Sequence, residues 1–352
     1  MPVTALPPRA SLPSCAPAFG LALMLLAAAA CGRIDPEGPS GPSAPAPRPS
    51  VQDDAATRQA ELRRARAERN RAANAAAQQA SASPSPASQA QRDFYAAAER
   101  RLVAQGRLRR ERVPQDAPID ADTLARNFIA IALRDEYGQT SGGLVQQSSA
   151  APLRRWRAPV RMQLEFGAST DMAARPAWRS EVAEFATRLS GLTRHPVGLT
   201  AEGGNFTILV LTEDERRAAG PRLAQLVPGI PTQDIAILTD LPPSISCSVF
   251  AYSRGNAADY AHAVAVIRAE LPPLLRTSCI HEELAQGMGL AADSPAARPS
   301  IFNDDEEFAL LTRHDELLLQ MLYDPRLTPG MSEAEAAPIV RQIAAELLGE
   351  AA

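Results

Sequence analysis

"SCIHEELAQGMGLAADS", residues 278–294, is the stretch on which both fold and function turn. Pro272 and Pro273 interrupt the chain before it, and the spacing predicts a helix from Leu274 to Met288. On a helical period His281 shares a face with Leu274, Leu284, Ala285 and Met288, so its imidazole is expected to be buried. Glu282 and Gln286 stand four apart on another flank, close to Cys279. Gly289 then supplies the usual stop.

A zinc hydrolase helix needs two imidazoles one turn apart, a carboxylate beside the first as general base, and a third ligand. Starting that pattern at His281 makes Glu282 the base but puts Ala285 where the second histidine belongs. Sliding it by one makes Glu283 the base and puts Gly289 at the glycine turn of HExxHxxGxxH. The three ligand positions are then Glu282, Gln286 and Ala292. The first register keeps a histidine and loses the turn; the second keeps the turn and loses every histidine. Neither is a standard zinc site.

The following segment carries the remaining candidates. Asn303 with Glu306 reads as a capping box opening a helix that ends before Asp324-Pro325. Its stripe of Phe308, Leu311, Leu318 and Leu322 also contains His314 and Asp315. A buried imidazole and carboxylate need partners, because an unpaired buried charge is costly. Two roles follow. They could complete an unusual metal site with His281, Glu282 and Asp293, zinc being the natural ion, or they could form a satisfied polar network that clamps two helices, with Gln286 and Gly289 shaping the turn between. His195 sits in a "TRHP" turn and His262 is expected on a helix surface, both incidental. No GxSxG elbow, phosphate loop or dinucleotide fingerprint supports another enzyme class.

Outward from the motif, Val160, Met162, Leu164 and Phe166 alternate with polar residues and predict a half-buried strand. Trp178, Val182, Phe185 and Leu189 give a helix over 177–191, and "FTILVLT" (206–212) reads as a central strand. A helix over 213–227, short strands at "IAIL" and "CSVFAY", and a mainly helical remainder from Ala257 complete the pattern. Asp122 is the expected cap of a helix carrying Leu124, Phe128, Ile131 and Ala132 and ending near Gly138. A mixed sheet followed by helices indicates an α/β or α+β domain, expected to span 113–349.

The N-terminal part is of another kind. Arg9 is the only charge before an apolar run from Ala18 to Ala30, too short for a bilayer that takes about 20 residues. The run ends in Ala28-Ala29-Ala30-Cys31, small residues before a cysteine, as in a bacterial lipobox. The expectation is a signal peptide over 1–30 and a lipid on Cys31; Gly32, not aspartate, favours the periplasmic face of the outer membrane. Residues 31–50 form a Pro-rich tether, and 51–112 an Ala/Arg-rich arm, helical or disordered, with a second linker at "SASPSPAS" (81–88). Removal of Cys15 and lipidation of Cys31 leave Cys247 and Cys279, most simply one disulfide in an oxidising compartment. A net charge of −4 and no basic patch alternating with aromatics argue against nucleic acid as a partner.

"CIHEELAQGMGLAADS" together with "SIFNDDEEFALLTRHDELLLQMLYDPRLTPGM" closely resembles the domain of unknown function 2927 family, over about 113–349. Its members look like exported bacterial lipoproteins, and its helix has been compared with zincin peptidases. The resemblance implies a mixed sheet over a central helix containing His281 and Glu282, and it brings no activity with it. Two functions are therefore expected. One is a lipid-anchored metal-dependent peptidase or peptidoglycan amidase, with Glu282 or Glu283 polarising water and His281, Asp293 or His314 holding metal. The other is a non-catalytic envelope protein that keeps the fold to bind a peptide, peptidoglycan or protein partner.

Overall fold

A computed structural model of the chain describes residues 59–71, 84–140, 143–303 and 305–350. The segment expected to be a signal peptide, Cys31, the expected tether and much of the expected arm lie outside the described residues. The chain divides into two units, residues 1–63 and 64–352. Of the first, only residues 59–63 are described, as part of a largely solvent-exposed helix α1 (59–71).

In the second unit α2 (Pro86–Ala104) and α3 (Ala121–Ala132) precede a hairpin of β1 (Arg134–Thr140) and β2 (Gly143–Ala150). Then follow β3 (Arg155–Trp156), β4 (Val160–Phe166), α4 (Arg175–Thr193), β5 (Val197–Thr200) and β6 (Phe206–Leu211). Three short helices, α5 (Glu213–Arg217), α6 (Gly220–Leu226) and α7 (Thr232–Thr239), lead to β7 (Cys247–Ser253) and β8 (Asp259–Arg268). The motif helix α8 (Pro273–Gln286), a 3-10 turn (Ile301–Asn303), α9 (Arg313–Leu322) and α10 (Glu333–Leu348) close the fold.

The main sheet has six strands in the order β3-β8-β6-β4-β5, with β7 pairing with β8. All pairings are parallel except that of β7 with β8. This is the mixed α/β architecture expected from the sequence. Side-chain alternation divides the core between two faces. Met162, Leu164, Phe206, Ile208, Ala263 and Ala265 join α3, α4, α8, α9 and α10 in the larger core. Leu209, Val264 and Val266 meet Leu223, Val227 and Leu238 on the other face. The continuous apolar run of β6 is thus explained: both of its faces are covered. The period-two strand at 160–166 and the stripe Trp178, Val182, Phe185 and Leu189 lie where the sequence puts them.

Several expectations are corrected. "IAIL" (235–238) lies in helix α7, because four apolar residues carry no period that separates strand from buried helix. The chain after Ala257 opens with the ten-residue strand β8, not a helix, so His262 stands on a strand opposite Tyr252. Its alanines suggest helix, but pairing with β6 and β7 on its two sides overrides that weak preference. The helix over 213–227 is broken into α5 and α6 before Gly220-Pro221. Asp120, not Asp122, caps α3 by accepting the Thr123 amide at 2.7 Å, and the helix ends at Ala132.

The packed region also reaches upstream of residue 113. Ser85 caps α2 within the expected second linker, Tyr95 is buried in the main core, and its hydroxyl donates to the carbonyl of Pro243 at 2.8 Å. Leu108 is buried in the same core, and its amide donates to the Glu306 carbonyl. In a segment so rich in Ala and Arg, these few large side chains carry the packing signal.

Candidate functional site at the motif helix

Helix α8 starts at Pro273 with no side-chain cap of its own. The cap comes from α2: the Glu99 carboxylate accepts the amides of Leu274 and Leu275, both at 3.0 Å. A carboxylate at that end satisfies two orphan donors and complements the helix dipole. Along the helix, Leu275, Cys279, Ile280, Leu284 and Ala285 are buried in the main core. Cys279 is bonded to Cys247 with a Cα–Cα distance of 6.0 Å, which pins the middle of α8 to the start of β7, as expected.

His281 faces α4 and the chain before α9. Its Nδ1 accepts the backbone amide of Leu311 at 3.1 Å, and its ring stacks on Phe185 with centroids 4.3 Å apart. Burial, with Arg188 adding to it, pushes the imidazole down to about 3, so the ring is neutral at physiological pH. With Nδ1 accepting, the ring proton resides on Nε2. The lone pair that a metal would need is committed to the protein backbone.

Glu282 and Glu283 lie on the side of the disulfide. Their carboxylate oxygens and Cys247 Sγ fall within 4.8 Å of one another, the one such group of potential ligands among the described residues. It contains neither His281, Asp293 nor His314. Metal binding uses thiolate, and this sulfur is held in a disulfide. The residues therefore do not fit a zinc centre.

His314 and Asp315 are fully buried in α9. His314 Nε2 meets the Asn127 amide at 3.0 Å, and Nδ1 meets Asp315 Oδ1 at 3.3 Å, so both ring nitrogens are occupied. Asp315 also accepts from the Ser300 hydroxyl at 2.5 Å, the Ile301 amide at 3.1 Å and the Thr312 amide and hydroxyl, both at 2.9 Å. These two residues form a satisfied buried network joining α9, α3 and the loop at 300–301. Asp315 is at the same time the N3 member of the true capping box, with Thr312. The box expected from Asn303 and Glu306 does not form; Glu306 instead has a positive φ of 60°. A Thr-x-x-Asp signal lay nine residues further on, beside the histidine.

After α8 the chain turns sharply. Gln286 donates to Asp293 Oδ1 at 3.0 Å, closing the turn. Gly289 has φ +128°, and a Cβ there would come within 2.4 Å of the Arg154 carbonyl oxygen, so only glycine fits. Two carbonyls of this turn are taken by side chains: Trp156 Nε1 donates to Gly287 at 2.8 Å, and the Tyr323 hydroxyl to Met288 at 3.0 Å.

Trp156 and Tyr323 in turn form walls of a cavity of about 780 Å³ at the amino ends of β4 and β5, which also includes Arg155, Arg157, Arg194 and His195. This cavity is not legible from local sequence pattern, in which His195 reads as incidental. The only sequence signal was "RRWR" (154–157), arginines around a tryptophan. His195 Nε2 bonds the Ala158 carbonyl oxygen at 2.9 Å, and burial lowers its pKa.

Residues 121–342 match the family model described as "Protein of unknown function (DUF2927)", and the chain belongs to that family. No curated protein and no solved structure matches the chain.

Proposed function

We propose that this family member is a lipid-anchored cell-envelope protein whose domain binds a partner without catalysing a reaction. The observation that carries this reading is the commitment of His281. Its Nδ1 holds the Leu311 amide, while the carboxylates beside it in sequence face a disulfide sulfur. The motif helix then serves as a frame: capped by Glu99, bolted by Cys279, and ending in a turn whose carbonyls position Trp156 and Tyr323 at an open cavity. The run Ala18–Ala30 before Cys31 supports export and anchoring at the periplasmic face of the outer membrane. Among the described residues no helix is long and apolar enough to cross a membrane.

The competing reading, a metal-dependent peptidase or amidase, rests on the approach of Glu282 and Glu283 to Cys247 Sγ. One experiment separates the two. Wild-type chain and a Glu282→Gln/Glu283→Gln variant are incubated with purified peptidoglycan and with envelope peptides, and released amines are measured. Equal background release from both is expected; turnover that the variant loses would overturn the binding reading. Anchoring is tested by fractionation, where Cys31→Ala should leave the membrane fraction.

A further inference from the structure

The cavity at Trp156 and Tyr323 has a charge balance that indicates its ligand. Arg155, Arg157 and Arg194 line it against a single carboxylate, Asp324, and His195 carries no charge at neutral pH because burial lowers its pKa. Asp324 is itself paired with Arg326 at 2.9 Å.

The C-terminal ends of α4 and α9 border the same cavity, and their exposed carbonyls would oppose an anion. Arg155 offsets this, because its guanidinium donates to the carbonyls of Leu322 and Leu327, both at 2.7 Å. Arg157 and Arg194 are exposed and enter no hydrogen bond or ion pair among the described residues. Arg194 lies one residue beyond α4 in the left-handed region, at φ 56°, where few non-glycine residues are found. The side chain of Gln320 is likewise without a hydrogen bond among the described residues. Around these polar groups stand Leu192, Pro325, Pro329 and Leu347, an apolar rim, with Trp156 buried beneath it. A cavity of about this size is suited to a small molecule rather than a protein surface.

We propose that this cavity binds a small amphipathic anion, its carboxylate or phosphate held by the guanidinium forks of Arg157 and Arg194 and its apolar part against Leu192 and the two prolines. Guanidinium pairs with either oxyanion through two parallel hydrogen bonds. The inference rests on the binding reading above, and it deepens that reading by naming the ligand class.

The test is calorimetric titration of the full chain with an acetylated apolar tripeptide bearing a free C-terminal carboxylate, with the same peptide amidated, and with phenyl phosphate. Preference for the free acid over the amide supports the proposal and assigns a carboxylate source. Binding of phenyl phosphate without the peptide supports it and assigns a phosphate source. In either case Arg157→Gln and Arg194→Gln should each weaken binding by about tenfold, the loss of one charge-assisted contact. Their melting temperatures should stay unchanged, because both side chains are exposed. No binding of any probe, equal binding of acid and amide, or arginine variants that bind as wild type would overturn it. Such a failure leaves the non-catalytic reading to stand or fall on the turnover experiment.

Discussion

The imidazole of His281 and the backbone amide of Leu311 are joined by a 3.1 Å hydrogen bond from N–H to Nδ1. That bond turns the most metal-like residue of the motif into a link between α8 and the approach to α9. His281→Ala leaves the Leu311 donor without its acceptor and removes the stacking on Phe185. A loss of about 2–4 kcal/mol in urea denaturation is expected. His281→Asn, which can offer an amide oxygen at a similar place, should recover part of it. A metal-only role predicts two stable variants instead.

The same residue gives stability a pH dependence. His281 titrates at about 3 in the fold, well below the ordinary histidine value of 6.5. The neutral ring therefore contributes fully above pH 6.5, and its contribution is lost as pH falls toward 3, because only the unfolded chain takes up the proton in that range. Between pH 6.5 and 5, wild type should lose roughly 1.5–2 kcal/mol more than His281→Asn. Parallel stability curves for the two proteins would refute the assignment.

Glu99 reaches from α2 to the amino end of α8, and a chain begun at residue 113 lacks it. Glu99→Ala should cost about 1 kcal/mol, as for loss of a helix cap. A chain starting at residue 113 should lose at least about 3 kcal/mol relative to one starting at 84, since the burial of Tyr95 and Leu108 goes with the cap. Equal thermal midpoints would place α2 outside the cooperative unit.

The Cys247–Cys279 bond closes a loop with a sequence separation of 32. Reduction, or a Cys247→Ala/Cys279→Ala double variant, should lower stability by roughly 3–4 kcal/mol on the loop-entropy account. Thermal unfolding with and without a dithiol reductant checks this. An unchanged midpoint would mean that the helix is held to β7 by packing alone.

What the sequence revealed, and what it hid, follows the range of the interactions involved. Strands β4 and β6 and helix α4 were legible because local periodicity matches burial there. The disulfide was legible by elimination, and the partial burial of His281 from its apolar face. Strand β8 was not: its alanines carry little preference, and the partners that make it a strand lie elsewhere in the chain. The role of α2 was hidden because one tyrosine and one glutamate stand in a run of Ala and Arg. The cavity was hidden for a similar reason. Arg155 and Trp156, His195, and Tyr323 come from three distant segments and meet only in the folded chain. At the motif itself, the clustering of His281, Asp293 and His314 in sequence suggested one site, whereas they stand on α8, on the turn after it and on α9, each with its own partner.

The most direct test of the central claim, that the motif helix is a structural frame and not a metal centre, is metal content. The full chain, exported and purified without chelator or histidine tag, is analysed by mass spectrometry before and after incubation with zinc. The account predicts no stoichiometric transition metal in either sample, and no difference between wild type and His281→Asn. One metal bound per chain in wild type, and lost from His281→Asn while that variant remains folded, would contradict it.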